Sequence, residues 1–282
     1  MAENVIEIKE LTKDYGDFKL DNISLSIPKG GICGFIGQNG AGKTTTIKLI
    51  LDVINRDSGE VLVFGEDICD NSAAIKERIG VVYDEMAFHD FLTPKQLNKI
   101  FKNIYKNWNE EEYFNYLKRF SLPTTKKCGD FSRGMRMKLQ IAVAMSHNAE
   151  LLIMDEPTSG LDPIVRSEIL QIFQEYVMDE NHTILFSSHI TTDLEKIADE
   201  IVFINKGKIF LAGNKDEILE THRVIRCTKE DLDKINPFDI ISRRSTSVCE
   251  ELLVKNAAIK YSRLVCDPAS LEDIIVFYVN KN

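Results

Sequence analysis

Residues 37–44 read Gly37-Gln38-Asn39-Gly40-Ala41-Gly42-Lys43-Thr44, the G-x-x-x-x-G-K-[ST] spacing of a phosphate-binding loop. Its glycines let backbone N–H groups turn inward around phosphate oxygens, and a helix that follows adds the positive end of its dipole. Lys43 supplies a cation for terminal phosphates. The Thr44 hydroxyl is the expected Mg2+ ligand, and Thr45 can bond an adjacent phosphate. Further along, Leu151-Leu152-Ile153-Met154-Asp155-Glu156 carries two carboxylates at the end of an apolar run. Alone, such a pair is ordinary solvated surface. Beside a phosphate-binding loop it completes a hydrolytic set, with Asp155 holding Mg2+ directly or through water and Glu156 orienting or deprotonating an attacking water.

These residues need a scaffold that brings them together, and the hydrophobic pattern predicts one. Ile32–Ile36 is a short apolar strand before the loop, and Thr44–Val53 reads as a helix with Ile47, Ile50 and Leu51 inward. Leu151–Met154 and Thr183–Phe186 are buried-strand candidates flanking a helical stretch, Ile164–Glu180. Strands alternating with helices predict a mostly parallel α/β sheet. Nearer the start, Ile23, Leu25 and Ile27 alternate with polar residues before Pro28-Lys29-Gly30-Gly31, which predicts a hairpin. Pro94–Asn107 and Glu110–Phe120 predict helices of an inserted subdomain spanning about residues 88–147. Lys206-Gly207 reads as the turn of a second hairpin, and Asn214 as a helix start. From about Val224 motifs stop, and residues 223–282 are expected to form a small α/β appendage to a main unit of residues 1–222.

At 282 residues, 44% hydrophobic and 28% charged, the chain has the composition of a packed globular protein. Its apolar runs fall well short of the roughly 20 residues a membrane-crossing helix needs, and residues 1–10 lack the pattern of a signal peptide, so a cytoplasmic location is expected. The net charge of −9 argues against a nucleic-acid partner. Six scattered cysteines show no metal-site or redox spacing.

Several motifs in this order resemble the nucleotide-binding domains of ATP-binding-cassette (ABC) transporters over roughly Val5–Leu211. The phosphate loop extends to Thr45, Phe131-Ser132-Arg133-Gly134-Met135 is similar to the family's signature segment, Ser159-Gly160-Leu161-Asp162 to its D-loop, His189 to its switch histidine, Tyr15 to its adenine-stacking aromatic and Asp84 to its Q-loop glutamine beside Mg2+. The resemblance implies a P-loop NTPase core with an N-terminal antiparallel β-subdomain, an inserted helical subdomain and a small C-terminal appendage. It implies ATP and Mg2+ as cofactors, hydrolysis through Glu156 and His189, and a two-fold dimer, of identical or related subunits, in which Ser132, Gly134 and Asp162 contact the partner's ATP. Ser132 and Asp162 also read as plain helix caps, with Pro163 at the first helical position.

Three positions depart from the common pattern: Asp84 stands for the glutamine, and Arg133 and Met135 replace glycine and glutamine of the usual Leu-Ser-Gly-Gly-Gln form. Together with Pro268-Ala269-Ser270-Leu271-Glu272-Asp273-Ile274, these resemble the ATPases of ABC-2-type bacterial exporters. The resemblance implies a separately encoded integral membrane permease as partner and peripheral attachment to the inner face of the membrane. The alternative is an ABC ATPase without a membrane partner, acting in repair, on the ribosome or in cofactor assembly.

Overall fold

The computed structural model describes residues 3–255, 261 and 264–280. The chain opens with strands β1 (Asn4–Asp14), β2 (Lys19–Pro28) and β3 (Gly31–Ile36), then helix α1 (Lys43–Ile50). Next come β4 (Ser58–Val63), β5 (Glu66–Asp67), α2 (Ser72–Glu77) and β6 (Ile79–Val82), followed by α3 (Pro94–Ile104), α4 (Glu110–Arg119) and α5 (Arg133–Met145). Then β7 (Leu151–Asp155), α6 (Pro163–Tyr176), β8 (Thr183–Ser188), α7 (Thr191–Ile197), β9 (Glu200–Asn205), β10 (Lys208–Asn214) and α8 (Lys215–Thr221) lead to a last group, β11 (His222–Cys227), β12 (Ile240–Ser245), β13 (Glu250–Lys255), β14 (Val265–Pro268) and α9 (Leu271–Val279).

The central sheet has the order β10-β9-β3-β8-β7-β6, parallel except where β10 folds back on β9. Every residue of β7 and β8 is buried, as parallel strands covered on both faces must be. The β9–β10 hairpin turns at Lys206 and Gly207, both at positive φ (46° and 72°), which matches the twist of the strands it joins. The predicted hairpin at residues 23–31 does not form. β2 pairs with β1 in a separate antiparallel sheet, β2-β1-β4-β5, whereas β3 enters the central sheet between β9 and β8. Local alternation identified β2 as a half-buried strand, but the neighbours of β3 were set by long-range burial, and Gly30 and Gly31 (φ 82° and 85°) carry the chain across.

The helices of residues 94–145 begin at polar caps. Thr93 and Gln96 form a reciprocal capping box with Pro94 at the first position, and Ser132 accepts from the Met135 amide at 3.3 Å; each such cap contributes about 1 kcal/mol. These helices and the central sheet share one core, in which Tyr113, Leu139 and Phe186 are fully buried. The last group forms the antiparallel sheet β12-β13-β11-β14. Its Val224 and Leu253, with Leu271, Ile274 and Phe277 of α9, join the same core as Leu194 and Ile197 of α7, while Ile225, Leu252 and Val254 face a smaller cluster with Ile235 and Tyr261.

Candidate active site

Strand register places the reactive side chains before any loop geometry is considered. β8 lies between β3 and β7, with Ile36 opposite Ser188 and Asp155 opposite Ser187. The phosphate-loop start, the segment Ser187-Ser188-His189 and the pair Asp155-Glu156 therefore emerge together at the C-terminal end of the parallel strands, where open α/β sheets hold ligands.

Thr44 Oγ1 donates to Asp155 Oδ2 at 2.7 Å, and Ser187 Oγ donates to Asp155 Oδ1 at 2.6 Å, so both carboxylate oxygens are held. Lys43 Nζ donates to the carbonyls of Gly37 (2.6 Å) and Gln38 (3.3 Å) and lies 3.1 Å from Glu156 Oε1. Glu156 Oε2 is 2.7 Å from His189 Nδ1. Glu156 adopts φ 53°, a left-handed conformation that costs a non-glycine residue about 1–3 kcal/mol. Its amide bonds to both the carbonyl and the hydroxyl oxygen of Ser187, at 3.1 Å each, and this holds the strained turn. The Tyr83 phenol is pushed up from its ordinary pKa by burial and then by the Asp155 charge.

An open cleft of about 500 Å3 is lined by Phe18, the loop residues Gln38, Asn39, Gly40, Gly42, Lys43, Thr44 and Thr45, and the acids Asp84, Asp155 and Glu156. Ala41 is buried beneath the loop, its carbonyl accepting from the Gly207 amide. Tyr15 stands outside this lining. Its amide donates to Phe18 O across the β1–β2 turn, and the residue is 50% exposed, with Lys13 Nζ 5.6 Å from the ring centroid. Phe18 instead sits on the loop, so near Gly42 that a Cβ there would meet its ring at 3.1 Å. Neither Phe18 nor Ser187 was singled out from the sequence. Ser187 had a readable signal, a polar residue closing an apolar strand beside His189. Phe18 carried no signal to rank it above Tyr15.

Ser132, Gly134 and Asp162 gather elsewhere, around a second cleft of about 360 Å3 that also includes Arg133, Gly160 and Val165. Asp162 Oδ1 accepts from the amides of Ile164 and Val165, capping α6. Asp84 bridges the two regions through an ion pair with Arg133, Oδ1 to guanidinium nitrogen at 2.5 Å.

Comparison with known proteins supplies the family. The family model described as "ABC transporter" matches residues 20–159, and one described as "AAA domain, putative AbiEii toxin, Type IV TA system" matches residues 127–192. The chain is 38% identical over 209 residues to the bacitracin transport ATP-binding protein BcrA of Bacillus licheniformis, covering 73% of this chain and 68% of that protein. It is 34% identical over 220 residues to the ABC transporter ATP-binding protein NatA of Bacillus subtilis, covering 76% of this chain and 87% of NatA. This chain is an ABC transporter ATP-binding protein. A solved structure titled "Structure of ATP binding subunit of ABC transporter" superposes with TM-score 0.68 at 26% identity, over 77% of this ABC ATPase and 92% of that chain. A dimeric ATP-binding cassette bound to ADP and Pi shares the fold at TM-score 0.66 and 20% identity, over 74% and 98%.

The residues of this ABC ATPase fit a magnesium nucleotide. Around Gly40, at φ 78°, a Cβ would meet nothing within 4 Å. Gly42 begins α1 without a side-chain cap, which leaves the first-turn amides to an anion. Glu156 Oε1 is buried and, though near Lys43, makes no hydrogen bond among the described residues. Thr44, Asp155 and Asp84, all lining the cleft, offer the hard oxygen donors that Mg2+ prefers.

Proposed function

We propose that this ATPase powers export by a separately encoded integral membrane permease, to which it attaches peripherally on the cytoplasmic side as a homodimer or with a related ATPase. In this reading residues 1–222 form the ATP-binding unit and residues 223–282 an appended one. The observation that carries the reading is the separation of two half-sites in one subunit: the phosphate cleft with Lys43, Thr44, Asp155 and Glu156, and the Ser132–Gly134–Asp162 cleft apart from it. Head-to-tail pairing of two copies supplies each half-site with its complement, so that ATP lies in the interface. Export is supported by the bacitracin transport proteins among the relatives, in Bacillus licheniformis and, at 35% identity, in Enterococcus faecalis.

In this mechanism Gly37–Thr45 and Lys43 bind the phosphates, and Thr44, Asp155 and Asp84 would hold Mg2+, which supplies charge neutralisation at the transferred phosphoryl group. Phosphate oxygens compete with Glu156 for Lys43, which frees Glu156 to take a proton from water. His189 holds the Glu156 carboxylate in place through Nδ1. Across the dimer, the Ser132 hydroxyl and the Gly134 backbone approach the γ-phosphate, and Asp162 faces donors around it. Phe18, with Tyr15 at the rim, receives the base.

The test is affinity purification of the tagged chain from detergent-solubilised membranes of its source. Near-stoichiometric co-elution of an integral membrane protein is expected. A clean complex of this chain with itself, still without a membrane partner after crosslinking, overturns the transporter assignment.

A further inference from the structure

Two of the positions at which this chain departs from the common family form touch each other. Asp84 and Arg133, 49 residues apart in sequence, pair at 2.5 Å. Asp84 lines the phosphate cleft, Arg133 lines the Ser132–Gly134 cleft, and both line a third cleft of about 550 Å3 between them. Arg133 also lies against the D-loop: a Cβ on Gly160 would stand 3.1 Å from its Cζ and Nε. Other charges in the third cleft are Glu85, Asp90 and Arg136. Arg136 is engaged by the carbonyls of Phe131 (3.1 Å) and Gly129 (2.7 Å), so it is not a rival for Asp84.

We propose that Arg133 is a positioning residue that ties metal loading in one half-site to the charge presented by the other, by competing with the metal for the Asp84 carboxylate. This rests on the assignment of Asp84 to the metal-holding set above. Both side chains are about half exposed, at 50% and 46%, so their pair is water-accessible and exchanges readily rather than acting as a permanent strut. A divalent cation on Asp84 weakens its hold on the guanidinium, and by reciprocity Arg133 bound to Asp84 weakens the metal. Released, Arg133 becomes an unpaired cation at the first residue of α5, next to Ser132, on the surface that meets the partner's phosphates. Metal binding at one ATP thus primes the contact with the other. A neutral amide and a glycine at these positions provide no such link.

The probe is Mn2+, titrated by electron paramagnetic resonance into the full chain with a fixed concentration of a non-hydrolysable ATP analogue. Arg133→Gln is expected to tighten Mn2+ about two- to five-fold, the fold-change an exposed ion pair supports. Arg133→Lys retains the charge and should stay near wild type. Asp84→Asn should weaken Mn2+ and abolish the effect of Arg133→Gln in the double variant. If Asp84→Asn weakens Mn2+ while Arg133→Gln leaves it unchanged, the competition is absent and the proposal falls. If Asp84→Asn itself has no effect, the assignment of Asp84 to the metal fails, and the proposal with it.

Discussion

Ser187→Ala tests whether Asp155 is held by its neighbouring strand. Ser187 is fully buried, and its hydroxyl donates to Asp155 Oδ1 at 2.6 Å. A hydrogen bond to a buried charged group contributes about 1.5–3 kcal/mol. The substitution leaves the other supports in place: Thr44 still donates to Asp155 Oδ2 at 2.7 Å, and the Glu156 amide keeps the Ser187 carbonyl at 3.1 Å. The loss falls chiefly on Asp155, one of whose oxygens is left buried without a donor, while the Glu156 amide loses one of its two Ser187 acceptors and keeps the other. Urea unfolding should show a loss of about 2 kcal/mol, and kcat/KM for MgATP should fall about tenfold, or roughly 1.4 kcal/mol of transition-state stabilisation. Ser188→Ala is the control. Ser188 is as deeply buried, but its hydroxyl accepts from the Ile190 amide at 2.9 Å and, among the described residues, hydrogen-bonds to neither acid. If the two variants lose equal stability and equal turnover, Ser187 does not position Asp155 and the reasoning is refuted.

Glu156→Gln should lower ATP hydrolysis by about 10²–10⁴-fold while retaining ATP, so that light scattering detects an ATP-dependent dimer; a monomer at high protein concentration with ATP bound contradicts the paired half-sites. Phe18→Ala should weaken binding of a fluorescent ATP analogue about tenfold and Tyr15→Ala much less, and the reverse order would return the base contact to Tyr15. Ser132→Ala should weaken the ATP-dependent dimer of the hydrolysis-deficient chain more than Asp162→Asn does, as read by sedimentation; equal effects would contradict the assignment of the phosphate contact to Ser132. Burial holds the His147 ring below its ordinary pKa of 6.5, against Ile79 O at 3.1 Å, and His222 is depressed for the same reason. The unfolded chain then binds more protons just below pH 6.5, so thermal stability should fall as pH drops through that region, and His147→Gln should flatten part of the slope; an unchanged slope counts against His147 as a contributor.

The legible parts of this protein are those whose physics is local. The phosphate loop, the two acids after an apolar strand, and the caps at Ser132, Asp162 and Asn214 each declare themselves within a few residues. What the sequence could not show is pairing across distance. The same alternation that marked Ile23–Ile27 as a strand is compatible with pairing to β1 or to β3, and only the assembled core selects β1. Ser187 supports Asp155 because β8 lies between β3 and β7, a strand order that no local pattern encodes. Tyr15 and Phe18 are three residues apart on one turn, and which ring meets the loop depends on how that turn folds over Gly42.

Ser132 and Asp162 show how one local chemistry can serve two ends. Both cap helices and both line the second cleft, so cap and contact are not alternatives. Their remaining capacities differ. Ser132 Oγ accepts from the Met135 amide, and its O–H proton is still free to donate, which suits a phosphate. Ionised Asp162 has only acceptor capacity beyond the amides of Ile164 and Val165, and a carboxylate repels an anion. In the proposed dimer this chemistry favours the serine as the phosphate-facing residue and matches the aspartate to N–H groups or cations of the opposing subunit. Arg133 lines the same cleft, and its positive charge there is offset by the Asp84 carboxylate for as long as the two are paired.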